Sequence, residues 1–217
     1  MHGVPTPAWL EANDAADRDG QAWIVKSVWE HASLGLDDGC IVRGKAALAA
    51  RLDRSAASFG GEWFAERYID GREFNISVIE EAGAPRVLPV AEIRFDAFPD
   101  DKPKIVGYAA KWDTDAPEYR NTPRVFPNLA RAKEMRLHEL AKKCWKIFRL
   151  RGYARVDIRM DDRGVPWVLE INANPCLSSD AGFVAAAAEG NLGYEKIIEA
   201  IMDAALRPDL RPIENTI

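Results

Sequence analysis

Arg155, Asp157, Glu170 and Asn172 place charge and an amide in two segments that otherwise read as apolar strands, Tyr153 to Arg159 and Trp167 to Pro175. Strand side chains alternate between faces, so Arg155 and Asp157 share one face and Glu170 and Asn172 share one face of the next strand. Asp161-Asp162-Arg163-Gly164 joins the two as a tight hairpin turn. With Met160 paired to Val165, position 155 lies opposite 170 and 157 opposite 168, and all four polar groups fall on one side of the sheet. Carboxylate and amide oxygens without His or Cys are the donors Mg²⁺ prefers, held between one or two carboxylates and nucleotide phosphates, with the arginine facing phosphate oxygens. The plain alternative is a structural Arg155–Glu170 pair on a solvated face, worth only about 0.2 to 1 kcal/mol. A bulged loop would shift this register and scatter the cluster.

Other residues carry weaker signals. Lys26 ends the apolar run Trp23-Ile24-Val25 and precedes a polar loop with Glu30, Ser33 and Gly35, where an ammonium and backbone amides can face an anion together. A solvated lysine at a strand end reads the same way. Glu66 and Glu73 flank the turn Asp70-Gly71, in a hairpin whose backbone can hydrogen-bond a purine edge; exposed hairpin charges are the alternative. Lys111, beside Trp112 in a stretch rich in Asp and Pro, is either a lid cation or a surface lysine.

The elements that must position these groups alternate short strands and helices in an α+β arrangement with hairpins, without internal repeats. Strands are expected at Trp23–Lys26, Phe64–Ile69 and Glu73–Ile79, with a helix from Gly44 to Ser58. The longest helix is expected to start at an Asn128 cap, run through Leu137, Leu140, Ala141, Cys144 and Ile147, and stop near Gly152. Gly182 to Leu206 reads as helical and the residues from Arg207 as a tail. The expected division is a small subdomain at 1–60, a large one at 61–206 and the tail at 207–217.

Bulk composition narrows the function. With 217 residues, 47% hydrophobic and 29% charged, the chain can bury a full core and is of ordinary globular type. Its net charge of −5 supplies no basic field of the kind nucleic-acid binders use, so no nucleic acid is expected as partner. No apolar run approaches the roughly 20 residues that span a bilayer, and Met1 to Pro7 has no signal-peptide core, so the expected compartment is the cytoplasm, away from membranes. Cys40, Cys144 and Cys176 are odd in number and widely spaced, which suits reduced thiols.

Taken in order, these pieces resemble the ATP-grasp domain of the D-alanine–D-alanine ligase family. The resemblance runs over nearly the whole chain: Val4-Pro5-Thr6-Pro7; Ile24-Val25-Lys26 with Glu30 and Ser33-Leu34-Gly35; Glu66-Arg67-Tyr68-Ile69-Asp70-Gly71-Arg72-Glu73-Phe74; Lys111; Gly152 to Asp157; and Leu169 to Pro175. Single pieces are common, and their order is specific. The resemblance implies an ATP-grasp fold of two α+β subdomains whose antiparallel sheets enclose a nucleotide. It implies Lys26 on the α- and β-phosphates of ATP with the Glu30–Gly35 loop, Ser33 included, folded over them, and Lys111 on the γ-phosphate. Adenine falls to the stretch from Glu66 through Tyr68 to Ile69, with Glu66 at the amino group and Ile69 through its backbone. Glu73 takes the ribose hydroxyls. Asp157, Glu170 and Asn172 hold two Mg²⁺ or Mn²⁺ ions, and Arg155 faces a reacting acyl phosphate. The implied activity is ATP-dependent carboxylate–amine ligation of an amino acid or small peptide: the carboxylate is phosphorylated, then attacked by an amine.

The chain departs from the family pattern at its substrate end. Ala181 stands where a serine usually grips the second D-alanine's carboxylate, Trp112 replaces the tyrosine after the lid lysine, and Ala32 replaces the first loop serine. The usual serine–tyrosine bond is therefore not expected, and Ser178, Ser179, Arg124 or Trp112 are the alternative substrate contacts. The family's preceding domain and its phosphate-binding lysine are also missing, which suggests an excised domain, a split frame or a subunit completed by another polypeptide. A non-catalytic nucleotide-binding module and another ATP-grasp ligase, such as a ribosomal-tail or peptide ligase, are the rival readings.

Overall fold

The structure, a computed structural model, describes residues 3–11, 20–30, 33–99 and 102–207. In chain order β1 (Trp9–Glu11), β2 (Ala22–Ser27), β3 (Ile41–Arg43), helix α1 (Lys45–Phe59) and β4 (Trp63–Arg67) build the first layer pair. Its antiparallel sheet has the order β1-β4-β2-β3. Trp23, Val25, Trp63 and Ala65 point to one face and meet Leu48 and Leu52 of α1. Alternation therefore sends Ile24, Lys26 and Glu66 to the opposite face.

The second part starts with the ten-residue strand β5 (Arg72–Glu81), followed by β6 (Ala84–Val87) and β7 (Ala91–Ile93). Two short helices, α2 (Tyr108–Trp112) and α3 (Pro117–Arg120), and the two-residue β8 (Arg124–Val125) lead to the long helix α4 (Arg131–Ile147). Then come β9 (Tyr153–Met160), β10 (Pro166–Asn172), α5 (Gly182–Glu189) and α6 (Tyr194–Leu206). The sheet order is β10-β9-β5-β7-β8, with β6 on β5. Its apolar face carries Phe74, Ile76, Ala154, Val156, Ile158 and Val168, packed on Leu137, Leu140, Ala141, Cys144 and Trp145 of α4. Those α4 positions recur at three- and four-residue intervals, the stripe of a helix laid on a sheet. Helices α5 and α6 cover Ile79 and Leu88 beside it through Phe183, Ala186 and Ile197. No helix among the described residues is long and apolar enough to cross a membrane.

Several expectations change in detail. Strand β4 belongs to the first sheet, so the two sheets part after Arg67, and β4 and β5 do not pair as the hairpin expected across Asp70-Gly71. Helix α4 is capped at Ala130 without a side-chain bond, two residues beyond the Asn128 expected as its cap, and it ends at Ile147. The helical region from Gly182 breaks into two at Gly190 to Gly193. The tail beyond Arg207 lies outside the described residues.

The register of β9 on β10 also differs. Pro166 faces Met160 and Val168 faces Ile158, one residue out from the expected pairing, because Asp161 Oδ1 accepts the amides of Arg163 (3.1 Å) and Val165 (2.8 Å) and widens the turn. A bulge between Val168 and Glu170 adds a second residue. Two single shifts restore parity. Glu170 ends opposite Asp157 and Asn172 opposite Arg155, all still on one face.

Candidate active site

The polar face of the second sheet is organised in rows across its strands. Glu73 of β5 pairs with Arg159 of β9, which pairs with Trp167 of β10. The next row is Asn75, Asp157 and Glu170, and the third is Ser77, Arg155 and Asn172. At about 3.3 Å rise per residue, the three rows span about 13 Å along β9, the scale of a nucleotide with its phosphates laid along the strand.

In the middle row Asp157 accepts from Arg155 Nε and Nη2, each at 2.7 Å, and from Asn75 Nδ2 at 2.8 Å. Burial lowers the Arg155 guanidinium, but Asp157 beside it, with Glu170 and Glu73 further away, more than reverse this and hold it protonated well above its ordinary range. Glu170 is exposed and its carboxylate accepts no hydrogen bond among the described residues. Asn172 Oδ1 accepts the Asn174 amide at 2.9 Å, which fixes its side chain over the start of the Asn174-Pro175 turn. Two carboxylates directly opposed on adjacent strands, with an amide oxygen two residues along, are a hard-oxygen donor set that fits a divalent cation of the Mg²⁺ class. Asp157 must loosen its hold on Arg155 to serve in it.

The first sheet meets this face through the β4–β5 hinge. Lys26 Nζ donates to Glu66 Oε2 at 2.5 Å, so residues expected at phosphate and at base stand together. Burial raises the Glu66 carboxyl, Lys26 opposes this, and the field of Glu170 across the gap adds to the rise. The hinge turns at Gly71, with φ +143°, where an added Cβ would lie 2.1 Å from the Met160 carbonyl oxygen; only glycine lets the hinge lie on the end of β9. Tyr68 and Ile69 of the hinge are bound by Arg159 through the Tyr68 hydroxyl (3.3 Å) and the Ile69 carbonyl (3.2 Å). Burial raises the Tyr68 phenol above its usual range, with Arg159 opposing. Arg159 also donates to Glu73 Oε2, from Nε at 3.1 Å and from Nη2 at 2.7 Å.

The loop over the site is tied down from its far side. Ser27 Oγ accepts the amide of Glu30 at 3.0 Å and starts the loop, while the Glu30 side chain is exposed. Ser33 is buried at φ +65° and its hydroxyl donates to the Val106 carbonyl at 2.8 Å. The Tyr108 amide donates to the Leu36 carbonyl at 3.2 Å. These bonds join the loop to the segment that leads into α2, where Lys111 is exposed. They make the connection expected to be lost with Ala32, which itself lies outside the described residues.

At the substrate end, Ser178 and Ser179 are exposed, and Ser178 Oγ lies 3.1 Å from Cys176 Sγ. That hydroxyl, with the Ser178 amide, lowers the Cys176 thiol. Arg124 runs over Gly182 at the start of α5, its Nε 3.1 Å from where a Cβ would stand. Burial and the charge of Arg155 lower its guanidinium, with Asp180 opposing. Trp112 ends α2 directly after Lys111.

The geometry adds residues that the sequence reading passed over. Arg159 sits two residues from Asp157, so strand alternation alone places it on the polar face. Asn75 reaches Asp157 across a pairing of strands 82 residues apart, which no local pattern reveals. Arg67 stacks its guanidinium 4.5 Å from the centre of the Trp167 ring, closing the hinge end of the site.

Residues 12–203 match the family described as the D-ala D-ala ligase C-terminus. A D-alanine--D-alanine ligase of Marinomonas sp. is 30% identical over 213 residues, covering 94% of this chain and 61% of the relative. That of Cupriavidus metallidurans is 30% identical over 220 residues, covering 99% and 63%. The crystal structure of D-alanine--D-alanine ligase from Bacillus anthracis complexed with ATP superposes with a TM-score of 0.69 at 24% identity, over 94% of this chain and 62% of that one, a likeness of fold. The chain spans about three-fifths of the length of the curated relatives it matches.

Proposed function

The chain belongs to the D-ala D-ala ligase C-terminus family and has the ATP-grasp fold, and from that premise we propose that it is the nucleotide- and cation-binding part of an ATP-dependent ligase joining a carboxylate to an amine. The observation that carries this reading is the convergence of Arg155, Asp157, Glu170 and Asn172 on one sheet face, together with the Lys26–Glu66 pair on the polar face of the first sheet. Glu66, Tyr68 and the Ile69 backbone line the base end, and Glu73 the sugar. Lys26, Lys111 and the amides of the Glu30–Gly35 loop take the phosphates. Asp157, Glu170 and Asn172 hold Mg²⁺ or Mn²⁺. When bound, these cations supply neutralisation of the charge that develops on the transferring phosphoryl group. Arg155 keeps a fixed positive charge where an acyl phosphate would form, and a preorganised cation in a water-poor site costs no reorganisation during reaction.

The substrate class is a free amino acid or small peptide. Arg124, with its guanidinium at the N-terminus of α5 and close enough to feel Arg155, is the cation best placed for a substrate carboxylate; Ser178, Ser179 and Trp112 are the other candidates. With Ala181 at the usual serine position, D-alanyl-D-alanine is one possible product within that class and not the assigned one. A second reading, a nucleotide-binding unit without turnover of its own, is favoured by the departures from the family pattern at Ala181, Trp112 and Ala32.

The test is Mg²⁺-dependent ADP release from ATP with a pool of D- and L-amino acids, mass spectrometry of the products, and Glu170→Gln as control. ADP release stimulated by amino acids, with a condensed product and no turnover in the control, is the expected result. Nucleotide binding without turnover selects the second reading. No binding of Mg²⁺–nucleotide at all would sink both.

A further inference from the structure

Arg159 is 3% exposed and all five of its N–H groups are used. They go to Glu73 Oε2 from Nε (3.1 Å) and Nη2 (2.7 Å), to the Tyr68 hydroxyl (3.3 Å) and the Ile69 carbonyl (3.2 Å) from Nη1, and to the Lys104 carbonyl from Nη2. The guanidinium carbon lies 5.5 Å from the centroids of both Tyr68 and Phe95, so aromatic faces flank it as well. Three separate pieces of chain thus meet on one side chain: the β4–β5 hinge, the carboxylate of β5, and the segment that leads to the α2 lysine.

The bonding to Glu73 is one-sided. Both contacts fall on Oε2, and Oε1 accepts no hydrogen bond among the described residues. An ionised carboxylate has lone pairs for about four donors, so the pair leaves one oxygen held and the other presented. We propose that Arg159 is the positioning residue of the nucleotide end of this site, fixing Glu73 so that Oε1 faces the sugar hydroxyls while pinning the hinge and the lid segment to the same point. The proposal rests on the nucleotide-binding reading above. A lysine cannot replace it, because an ammonium has three donors and no planar fork.

The experiment measures binding of Mg²⁺–ATP and Mg²⁺–2′,3′-dideoxy-ATP by calorimetry to the full chain and to Arg159→Met and Arg159→Lys. Folding of each variant is followed by circular dichroism. A hydrogen bond from a hydroxyl to a held carboxylate is worth about 1.5–3 kcal/mol, hence roughly 10- to 100-fold weaker binding of the dideoxy nucleotide by the unaltered chain. Arg159→Met is expected to shrink that ratio below about threefold, and Arg159→Lys to leave an intermediate one. A merely structural arginine would weaken both nucleotides equally and leave the ratio unchanged, which overturns the proposal while the nucleotide site stands. If Arg159→Met does not fold, the ratio in Arg159→Lys decides in the same way. Equal binding of the two nucleotides by the unaltered chain removes Glu73 from the sugar and overturns the proposal alone. Absence of binding to either overturns the function reading and this inference with it.

Discussion

Replacing Arg155 with Met should tighten divalent-cation binding in the absence of nucleotide, although it removes a residue the reaction is expected to need. Asp157 is bound by Arg155 through two contacts of 2.7 Å, with side-chain exposures of only 21% and 14%. A cation that uses Asp157 must weaken this pair. At about 4 Å and an effective dielectric constant near 20, unit charges interact by about 4 kcal/mol. Residual exposure and rearrangement cut the recoverable part to about 1.5–3 kcal/mol, the range of a hydrogen bond to a charged group. A tenfold change corresponds to about 1.4 kcal/mol, so Mn²⁺ should bind roughly 10- to 100-fold more tightly to Arg155→Met. Met retains most of the apolar stem of the arginine, and the folded chain should lose only about 1–3 kcal/mol because Asn75 still bonds Asp157. Titration of free Mn²⁺ by electron paramagnetic resonance measures the effect. A general gain in negative charge would mimic it, so the same substitution is also made on Asp157→Asn, where the tightening should disappear. Unchanged or weaker Mn²⁺ binding in a folded Arg155→Met would refute the assignment of Asp157 as a ligand in competition with Arg155.

Three further outcomes follow from the fold. Gly71→Ala must meet the Met160 carbonyl at 2.1 Å in a backbone of φ +143°, so it should cost about 1–3 kcal/mol; an unshifted urea midpoint would show that the hinge yields freely. Leu137→Ala removes a fully buried side chain of the α4 stripe and should cost about 2–5 kcal/mol by denaturant unfolding, with a loss under 1 kcal/mol contradicting the packing described. Burial lowers the His138 imidazole below its ordinary 6.5, with Glu134 opposing and Lys142 assisting, so below that pH the unfolded chain binds more protons than the folded one. Stability should therefore fall as pH drops from 6.5 through the lowered value, and the fall should be smaller in His138→Leu; identical pH profiles for the two proteins would remove His138 from the effect.

Local patterns reached the element types and most of the site because each rests on a short-range rule. Alternation placed Arg155, Asp157, Glu170 and Asn172 on one face, and this survived although the register moved, since the wide turn at Asp161 and the bulge after Val168 each shift by one and together keep parity. The Asp70-Gly71 signal marked a real change of direction, but β4 and β5 lie in different sheets and do not pair, so the hairpin expected there is a hinge between sheets. What the reading missed is set by distance along the chain. Pairing of β1 with β4, and hence the place where the sheets divide, depends on residues more than 50 positions apart. The Ser33 bond to Val106 and the Asn75 bond to Asp157 are also long-range. Arg159 is the instructive case, because the rule that selected Asp157 also selects the residue two positions later.

With Arg159 included, the site has a common electrostatic plan. Lys26 pairs with Glu66, Arg155 with Asp157, and Arg159 with Glu73. Each pair couples a cation with a carboxylate expected to serve a different part of the bound nucleotide. Three isolated charges of either sign on a half-buried face would be costly, and mutual neutralisation removes most of that cost. On the proposed reading, a triphosphate with its cations would enter by exchange, its phosphate oxygens taking over Lys26 and Arg155 and the divalent ions taking over Asp157. Arg159 is the exception, since its remaining bonds go to the Tyr68 hydroxyl and to backbone carbonyls that no ligand replaces. On that reading two of the three pairs exchange partners when the ligand binds and the third stays closed, which sets Arg159 apart as a support for the site.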